Sequence, residues 1–249
     1  MLAFRSLSRT TKHTATRTKS TTRSAKRHIS GMFAPIPTPF DPKTLEVRHD
    51  WLANFLRHLA KSQLDGIVIG GSNGEFALQT LEERKEVFAT TMEVVGNTKS
   101  LVAGTGAAGY IETLELTNYA HSLGFNIAMV ITPYYYTIRL TDDALIEYYT
   151  KLADNTKIPI LLYTIPRFTG VEISPEVVAT LSAHPNIIGI KDSTGSLDTC
   201  KAYVEASKGQ NFSVMGGSGS LLQDYMQAGA RGGILGIANL YPQECKHLE

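Results

Sequence analysis

The sequence predicts an α/β protein folded as a (β/α)8 TIM barrel, and three observations lead to this prediction. From Gly31 onward the chain repeats one unit, in which a short apolar run is followed by a turn rich in Gly, Pro, Ser or Thr and then by a stretch of helical period. The runs are continuous and rich in β-branched residues, as in strands buried on both faces of a parallel sheet. Eight such units follow one another without a linker. A closed barrel fits this pattern, and an open doubly wound sheet is the competing arrangement.

Strand and helix signals alternate along the chain. The predicted strands are Met32–Ile36, Gly66–Ile69, Leu101–Ala103, Ile127–Ile131, Ile158–Tyr163, Ile187–Lys191, Phe212–Met215 and Gly233–Ile237. After the first strand, five apolar residues share one helical face: Trp51, Leu52, Phe55, Leu56 and Leu59. Thr80 followed by Glu83 predicts a capping box at the start of the next helix. Ser174 followed by Pro175 predicts an N-cap with a first-turn proline.

The charge distribution divides the chain into two segments. Residues 1–30 carry eight basic residues, twelve Ser or Thr and no acid, whereas residues 31–249 carry 16 bases against 23 acids. An Arg-rich, acid-poor leader without an apolar core is typical of an organelle transit peptide. We therefore expect a disordered mitochondrial leader over 1–30 and a barrel domain over 31–249, located in the mitochondrial matrix. Only nine residues follow Leu240, so we expect the barrel to be C-terminally incomplete, ending in or after the start of its eighth helix.

Composition also excludes several classes of function. A mildly acidic body argues against nucleic acid as the partner, since phosphate binding needs a basic surface. The apolar runs are too short to cross a bilayer. Cys200 and Cys245 give neither a disulfide framework nor a metal-ligand cluster. We expect no metal, no cofactor and no membrane partner.

Lys191 is the most informative candidate for chemistry. In a barrel the active site lies at the carboxyl ends of the strands, and Lys191 closes the apolar run that begins at Ile187. A lysine amine held away from water can attack a carbonyl to form a Schiff base, although a lysine that leaves its strand and reaches solvent fits the same spacing. Tyr163 ends the preceding strand and could relay protons, or it could be a core aromatic residue.

Two glycine motifs offer competing interpretations. Gly70–Gly74 matches the G-x-S-x-G elbow of serine hydrolases, but neither His184 nor His247 is placed as a convincing partner for Ser72. The same turn could present N–H groups and a hydroxyl to a carboxylate. Gly104–Gly109 matches G-x-G-x-x-G, yet the acid expected about 20 residues later is absent, so we interpret these residues as tight-turn glycines.

Taken in order, the motifs resemble those of the dihydrodipicolinate synthase/N-acetylneuraminate lyase family of class I aldolases. The resemblance extends from about Gly31 to Leu240. It rests on Pro37-Thr38-Pro39, Gly71–Glu75, Ala103-Gly104-Thr105-Gly106, Thr132-Pro133-Tyr134-Tyr135, Tyr163 with Ile165-Pro166, Thr169-Gly170 and Ile188-Gly189-Ile190-Lys191-Asp192. Their order and spacing make it far more specific than any single motif.

The resemblance implies catalytic roles for four residues. Lys191 matches the lysine that captures pyruvate or another 2-oxo acid as a Schiff base, and Tyr163 matches the tyrosine that shuttles protons. Ser72 matches a residue that passes protons onward. Tyr135 aligns with a tyrosine donated into a neighbouring subunit's site, which implies a homodimer or homotetramer.

The resemblance also implies a substrate-binding set. Ser72 and Asn73 occupy the positions that hold the pyruvate carboxylate. Gly217 and Ile234, which lie at the seventh and eighth strands, are expected to complete this set. The second substrate is an aldehyde, which joins pyruvate through a new C–C bond or is released from it.

Within the family, the sequence is most similar to the branch that cleaves 4-hydroxy-2-oxoglutarate to pyruvate and glyoxylate. The synthase branch has an arginine two residues after the proline of Tyr-x-x-Pro, where this chain has Phe168, although the adjacent Arg167 could substitute. Segments resembling the cleaving branch are Gly71–Phe76, Tyr149–Asp154 and His184–Ile187. The alternatives are a 2-keto-3-deoxy sugar acid aldolase, dihydrodipicolinate synthase and, from another class, an inactive 2-oxo acid-binding protein.

Overall fold

The computed structural model describes residues 28–248 and forms a closed barrel of eight parallel strands paired in sequence order. The strands are β1 Gly31–Pro35, β2 Gly66–Ile69, β3 Ser100–Gly104, β4 Ile127–Ile131, β5 Ile160–Thr164, β6 Ile187–Asp192, β7 Ser213–Gly216 and β8 Gly232–Ile234. Pairing of β8 with β1 closes the barrel, which confirms the predicted fold and excludes the open doubly wound sheet. Residues 1–27 of the predicted leader lie outside the described residues.

Helices follow the strands on the outside of the barrel. They are α1 His49–Ala60, α2 Leu81–Val95, α3 Tyr110–Leu123, α4 Asp142–Asp154, α5 Pro166–Thr169, α6 Pro175–Leu181, α7 Leu197–Ala206, α8 Leu222–Gln227 and α9 Pro242–His247. The predicted capping box is present at α2, where Thr80 and Glu83 satisfy each other's backbone N–H groups. Ser174 caps α6 ahead of Pro175, also as predicted. None of the helices over residues 28–248 is long and apolar enough to cross a membrane.

Alternation along each strand produces two separate apolar layers. In β4, Ile127, Met129 and Ile131 point into the barrel, whereas Ala128 and Val130 point outward to the helices. Burying one such aliphatic side chain contributes about 1.5–3 kcal/mol, so both layers stabilise the closed sheet. The apolar runs are continuous because both faces of each strand are covered.

Several predicted strand bounds shift by one or two residues, and two predicted features differ more. The predicted strand Gly233–Ile237 is shorter, because β8 ends at Ile234 and the chain turns into a 3-10 helix over Gly236–Asn239. Asn239 fixes this turn by donating from Nδ2 to the carbonyls of Pro35 and Gly236, each at 2.9 Å. Trp51 begins the apolar face of α1 but is 48% exposed, with the Arg48 guanidinium 4.4 Å from its ring centroid.

The strand register fixes which side chains meet at the carboxyl end of the barrel. Tyr163 of β5 pairs with Lys191 of β6, and Lys191 pairs in turn with Met215 of β7. On the other side, Tyr163 pairs with Ile131 of β4. Side chains at paired positions of neighbouring strands point to the same face, so Tyr163 and Lys191 share one level inside the barrel mouth.

Candidate active site

A cavity of about 320 Å³ opens at the carboxyl ends of the strands. Six of the seven residues predicted to act on substrate line it: Ser72, Asn73, Tyr163, Lys191, Gly217 and Ile234. They come from five strands or from the turns that follow them, separated by as many as 162 positions in the chain. The barrel therefore brings together most of the site that the sequence predicted.

Lys191 lies in the floor of this cavity with its amine against an aromatic face. Its side chain belongs to a residue only 4% exposed, and Nζ lies 4.1 Å from the centroid of the Tyr163 ring. Lys191 forms no ion pair among residues 28–248. A buried lysine without a carboxylate partner is not a surface lysine that reaches water, so the structure rules out that alternative.

Tyr163 connects Lys191 to the turn after β2. Its hydroxyl lies 3.1 Å from Ser72 Oγ, and either group can be the donor. Both hydroxyls can donate and accept at once, so the phenol and the serine hydroxyl form a hydrogen-bonded pair in the cavity that holds the amine. The arrangement can bind a carbonyl compound beside the amine and move a proton between the two hydroxyls.

The turn that carries Ser72 and Asn73 is held closely against the turn after β3. Ser72–Gly74 forms a single 3-10 turn, entered through Gly70 at a φ of 68°. Gly104 packs closely on Gly70, and a Cβ on Gly104 would collide with the carbonyl oxygen of Gly70. The first N–H groups of a helical turn have no partner inside that turn, so the Ser72–Gly74 turn is suited to bind a carboxylate.

Arg84, which the sequence reasoning missed, holds the turn after β3 through hydrogen bonds. The side chain is buried, and Nη2 donates to the carbonyls of Gly104 at 3.0 Å and Gly106 at 2.9 Å. Burial lowers the pKa of Arg84 to about 10, an effect opposed by Glu112 at 3.7 Å. The sequence does contain a signal for Arg84: it is a basic residue on the face of α2 that carries the buried residues Val87, Phe88, Thr91 and Val95.

Asp192, next to Lys191, points to the opposite face of β6 and supports the following loop. It is fully buried, and Oδ1 accepts from the backbone N–H of Thr194 at 2.8 Å and from its hydroxyl at 2.6 Å. Its carbonyl accepts from the N–H of Gly217 at 2.7 Å. Burial raises the pKa of the Asp192 carboxyl, and the bonds from Thr194 only partly offset that effect.

Tyr135 is the one predicted catalytic residue that the single chain does not bring to the cavity. It lies in the loop between β4 and α4 and is 74% exposed, with its ring 4.9 Å from that of Tyr136. Ile138 in the same loop is also exposed. The side chains of Tyr135, Tyr136 and Ile138 are therefore left largely uncovered by the other residues among 28–248.

The hydrolase interpretation of Gly70–Gly74 fails on geometry. A serine nucleophile needs a histidine base within hydrogen-bonding distance, whereas Ser72 bonds to Tyr163. His184 Nε2 instead lies 3.1 Å from Oδ1 of Asp154, the last residue of α4. His184 itself precedes β6 in the chain. Residues 28–248 contain no group of three or more potential metal ligands.

The comparisons with known proteins point in one direction. Residues 28–248 match the model of the dihydrodipicolinate synthetase family. The chain is 34% identical over 218 residues to the 4-hydroxy-tetrahydrodipicolinate synthase of Methanospirillum hungatei, covering 86% of this chain and 73% of the relative. It is 37% identical to the enzyme of the same name from Methanothrix thermoacetophila, covering 86% and 70%.

Solved structures give the same result. The dihydrodipicolinate synthase of Acinetobacter baumannii, solved in complex with pyruvate, superposes with a TM-score of 0.83 at 32% identity, covering 88% of this chain and 74% of that one. A prophage protein of Escherichia coli K12 from the dihydrodipicolinic acid synthase family, also in complex with pyruvate, gives 0.83 at 31% identity, covering 88% and 73%.

The expected location in the mitochondrial matrix is wrong. The similar relatives come from archaea and bacteria, among them Methanospirillum hungatei, Stenotrophomonas maltophilia and Thermus thermophilus. The expectation rested on the composition of residues 1–30 alone, and a basic, Ser/Thr-rich segment is not specific to an imported protein.

The Asp192 carboxyl gives a pH-dependent prediction. A carboxyl whose pKa is raised by folding favours the native state less as pH rises from its unfolded value of 3.8 through the raised value. Asp192→Asn removes this titration while keeping an oxygen that can accept from Thr194. We expect the free energy of unfolding of the variant, minus that of the parent, to increase over this pH range, as measured by urea denaturation.

The other carboxyls titrate in both proteins and cancel in this difference. Asp198→Asn on α7 provides a matched control, since Asp198 has no comparable burial. A difference between Asp192→Asn and its parent that stays constant between pH 3.5 and 7 would contradict the prediction.

Proposed function

The chain belongs to the dihydrodipicolinate synthetase family, whose members are lyases of the class I aldolase type, and we propose that it joins pyruvate to an aldehyde, or releases it from one, through a Schiff base on Lys191. The observation that carries this proposal is the buried amine of Lys191 beside the Tyr163 ring, in a cavity that also holds the Ser72 hydroxyl.

The reaction begins with attack of Lys191 Nζ on the C2 carbonyl of pyruvate. The carbinolamine oxygen takes up a proton and leaves as water, which gives a protonated imine. The imine withdraws electrons, so C3 loses a proton and an enamine forms. The enamine carbon then adds to the aldehyde carbon, whose oxygen takes up a proton. Hydrolysis of the new imine releases the product and restores the amine.

Tyr163 is suited to the proton transfers at the carbinolamine and at the aldehyde oxygen. Its ring contacts the amine, and its hydroxyl is 3.1 Å from Ser72 Oγ. Ser72 then acts as the next group in the relay. General acid–base help of this kind contributes about 10²–10⁴-fold to a rate.

The remaining predicted residues fit a pyruvate subsite. Ser72 and Asn73 begin a helical turn whose first N–H groups are free to bind the pyruvate carboxylate. Gly217 and Ile234 line the same cavity. Ile234 belongs to the apolar layer inside the barrel, so it gives the cavity an apolar wall.

Tyr135 reaches a site only if a second copy of the chain supplies it. Its loop exposes three large apolar residues, Tyr135, Tyr136 and Ile138, and burying such a patch favours association. We therefore propose a homodimer or homotetramer in which the Tyr135 hydroxyl of one copy joins the proton relay of another.

The aldehyde is the open part of the proposal. The relatives named 4-hydroxy-tetrahydrodipicolinate synthase favour the synthase reaction, in which pyruvate condenses with aspartate semialdehyde. They give no support to the expected cleavage of 4-hydroxy-2-oxoglutarate. That reaction remains a second candidate because Phe168 occupies the position where the synthase branch has arginine.

Borohydride trapping tests the imine. Pyruvate followed by borohydride is expected to leave one reduced pyruvyl group on Lys191, located by digestion and mass spectrometry. Lys191→Ala should lose the adduct and all aldol turnover while its circular dichroism spectrum is unchanged. Lys201→Ala, at an exposed position on α7, should retain both. An adduct on another lysine, or turnover by Lys191→Ala, would exclude the mechanism.

Replacement of Tyr163 by phenylalanine tests the relay. Removing only the hydroxyl should lower kcat by about 10²–10⁴-fold and leave the aromatic contact with Lys191 in place. Tyr241→Phe, at an exposed position, is the matched control. If Tyr163→Phe and Tyr241→Phe show the same kcat, Tyr163 takes no part in proton transfer.

A direct comparison of aldehydes separates the two candidate reactions. Pyruvate consumption is measured with aspartate semialdehyde and with glyoxylate at matched concentrations. We expect the higher kcat/KM with aspartate semialdehyde, as the names of the relatives indicate. Faster reaction with glyoxylate, together with cleavage of 4-hydroxy-2-oxoglutarate, would favour the second candidate.

A further inference from the structure

The backbone that presents Ser72 and Asn73 to the cavity is strained at its end. Glu75, which follows the 3-10 turn Ser72–Gly74, has a φ of 54° and a ψ of 35°. This left-handed conformation is unfavourable for a residue with a side chain, and it persists only where neighbouring contacts hold the backbone in place. A second 3-10 turn, Phe76–Leu78, begins directly after Glu75. A restraint on this double turn is therefore expected close to it.

Gln79 provides such a restraint. It directly follows the second turn, and its Nε2 donates to the carbonyl of Gly74 at 2.6 Å and to Thr38 Oγ1 at 3.1 Å. The carbonyls at the end of a helical turn have no partner inside that turn, and Gln79 supplies one for Gly74. Thr38 is buried in the loop after β1. One amide group therefore connects the turn after β2 to the loop after β1.

The orientation of the Gln79 amide follows from its contacts. An amide nitrogen carries two donors, whereas the amide oxygen only accepts. Turning the group over would place Oε1 against the carbonyl oxygen of Gly74, so that two acceptors would face each other. In the observed orientation Oε1 is buried and has no hydrogen-bond partner among residues 28–248. The position of Gln79 is thus set by the two bonds that Nε2 donates, and not by its oxygen.

The packing around Gly74 makes the turn sensitive to this contact. A Cβ on Gly74 would lie 3.1 Å from Thr38 Oγ1 and 3.3 Å from the carbonyl oxygen of Ile36. The N–H of Gly74 donates to the carbonyl of Gly71 at 3.0 Å, so both polar backbone groups of Gly74 are bonded. Gln79 itself does not line the cavity around Lys191. Any influence of Gln79 on bound substrate must therefore pass through the turn that it holds.

From this arrangement we infer that Gln79 is a positioning residue for the carboxylate of pyruvate, acting through the Ser72–Gly74 turn. The inference rests on the proposed function, which assigns that carboxylate to the N–H groups of the turn. Without the two donated bonds, the strained backbone can relax and the N–H groups lose their alignment. Lys191 and Tyr163 belong to β6 and β5 and keep their contact. Gln79 therefore sets the affinity for the carboxylate and leaves the reactivity of the amine unchanged.

The test compares two ketones that differ only in the carboxylate. Pyruvate carries it, and hydroxyacetone has a hydroxymethyl group in its place. The readout is the concentration of each that gives half-maximal borohydride trapping at Lys191. Gln79→Met keeps the length of the side chain and removes both donors. We expect it to raise the half-maximal concentration of pyruvate by about 5–50-fold, the effect of losing two ordinary hydrogen bonds. The half-maximal concentration of hydroxyacetone should stay unchanged.

Two further variants change the contact in graded steps. Gln79→Glu has the same shape but places a carboxylate oxygen against the carbonyl of Gly74, so it should raise the pyruvate concentration further than Gln79→Met. Thr38→Val removes one of the two acceptors and should give a smaller rise, about 2–10-fold, again for pyruvate alone. Gln63→Met, at an exposed position before β2, is the matched control and should behave as the parent. In aldol turnover, Gln79→Met should raise KM for pyruvate more than it lowers kcat.

The outcomes separate this inference from the proposed function. Trapping of pyruvate on Lys191 of the parent, with the same half-maximal concentration in Gln79→Met, would overturn the role of Gln79 and leave the Schiff-base mechanism standing. An equal rise for pyruvate and hydroxyacetone would also overturn it, because it would show a general effect on the fold. If circular dichroism shows that Gln79→Met is unfolded, the same criteria apply to Thr38→Val. Absence of any adduct on Lys191 of the parent would overturn the mechanism and this inference with it.

Discussion

The pairing of β5 with β6 is the constraint on which the site depends. It sets Tyr163 beside Lys191 at one level of the barrel, with the amine 4.1 Å from the ring centroid. Because side chains alternate along a strand, a slip of one residue would turn Lys191 toward the helices and bring Asp192 into the cavity. Closure of the barrel through β8 and β1 removes the free edges at which such a slip could begin.

Two buried charged residues outside the cavity hold its loops. Arg84 fixes the turn after β3 through two carbonyls, and Asp192 fixes the loop after β6 through Thr194. Both are costly to bury; Arg84 donates to two backbone carbonyls, and Asp192 accepts from the backbone N–H and the hydroxyl of Thr194. The charged residues that line the cavity are both cations, Lys191 and Arg167, and a positive lining favours an anionic 2-oxo acid.

The predictions that followed from local pattern were confirmed where a single period or motif decides the outcome. The apolar runs became the eight strands, the Thr80–Glu83 box capped α2, and Lys191 lies at a barrel mouth. Family membership followed from the order of motifs. The prediction from leader composition failed because such a composition occurs in proteins of many locations, and the relatives do not share the inferred compartment.

The sequence by itself determined the barrel and the chemical identity of its key residues, since periodicity dictates which side chains face inward and a motif dictates which amine or hydroxyl is available. Only the tertiary structure decided how those groups meet. The bond between Ser72 and Tyr163 joins residues 91 positions apart. Arg84 lies on α2, whereas the carbonyls it binds lie at the end of β3 and in the turn that follows. Strand register and barrel closure set these contacts through the summed packing of all eight strands, and no local stretch of sequence carries that information.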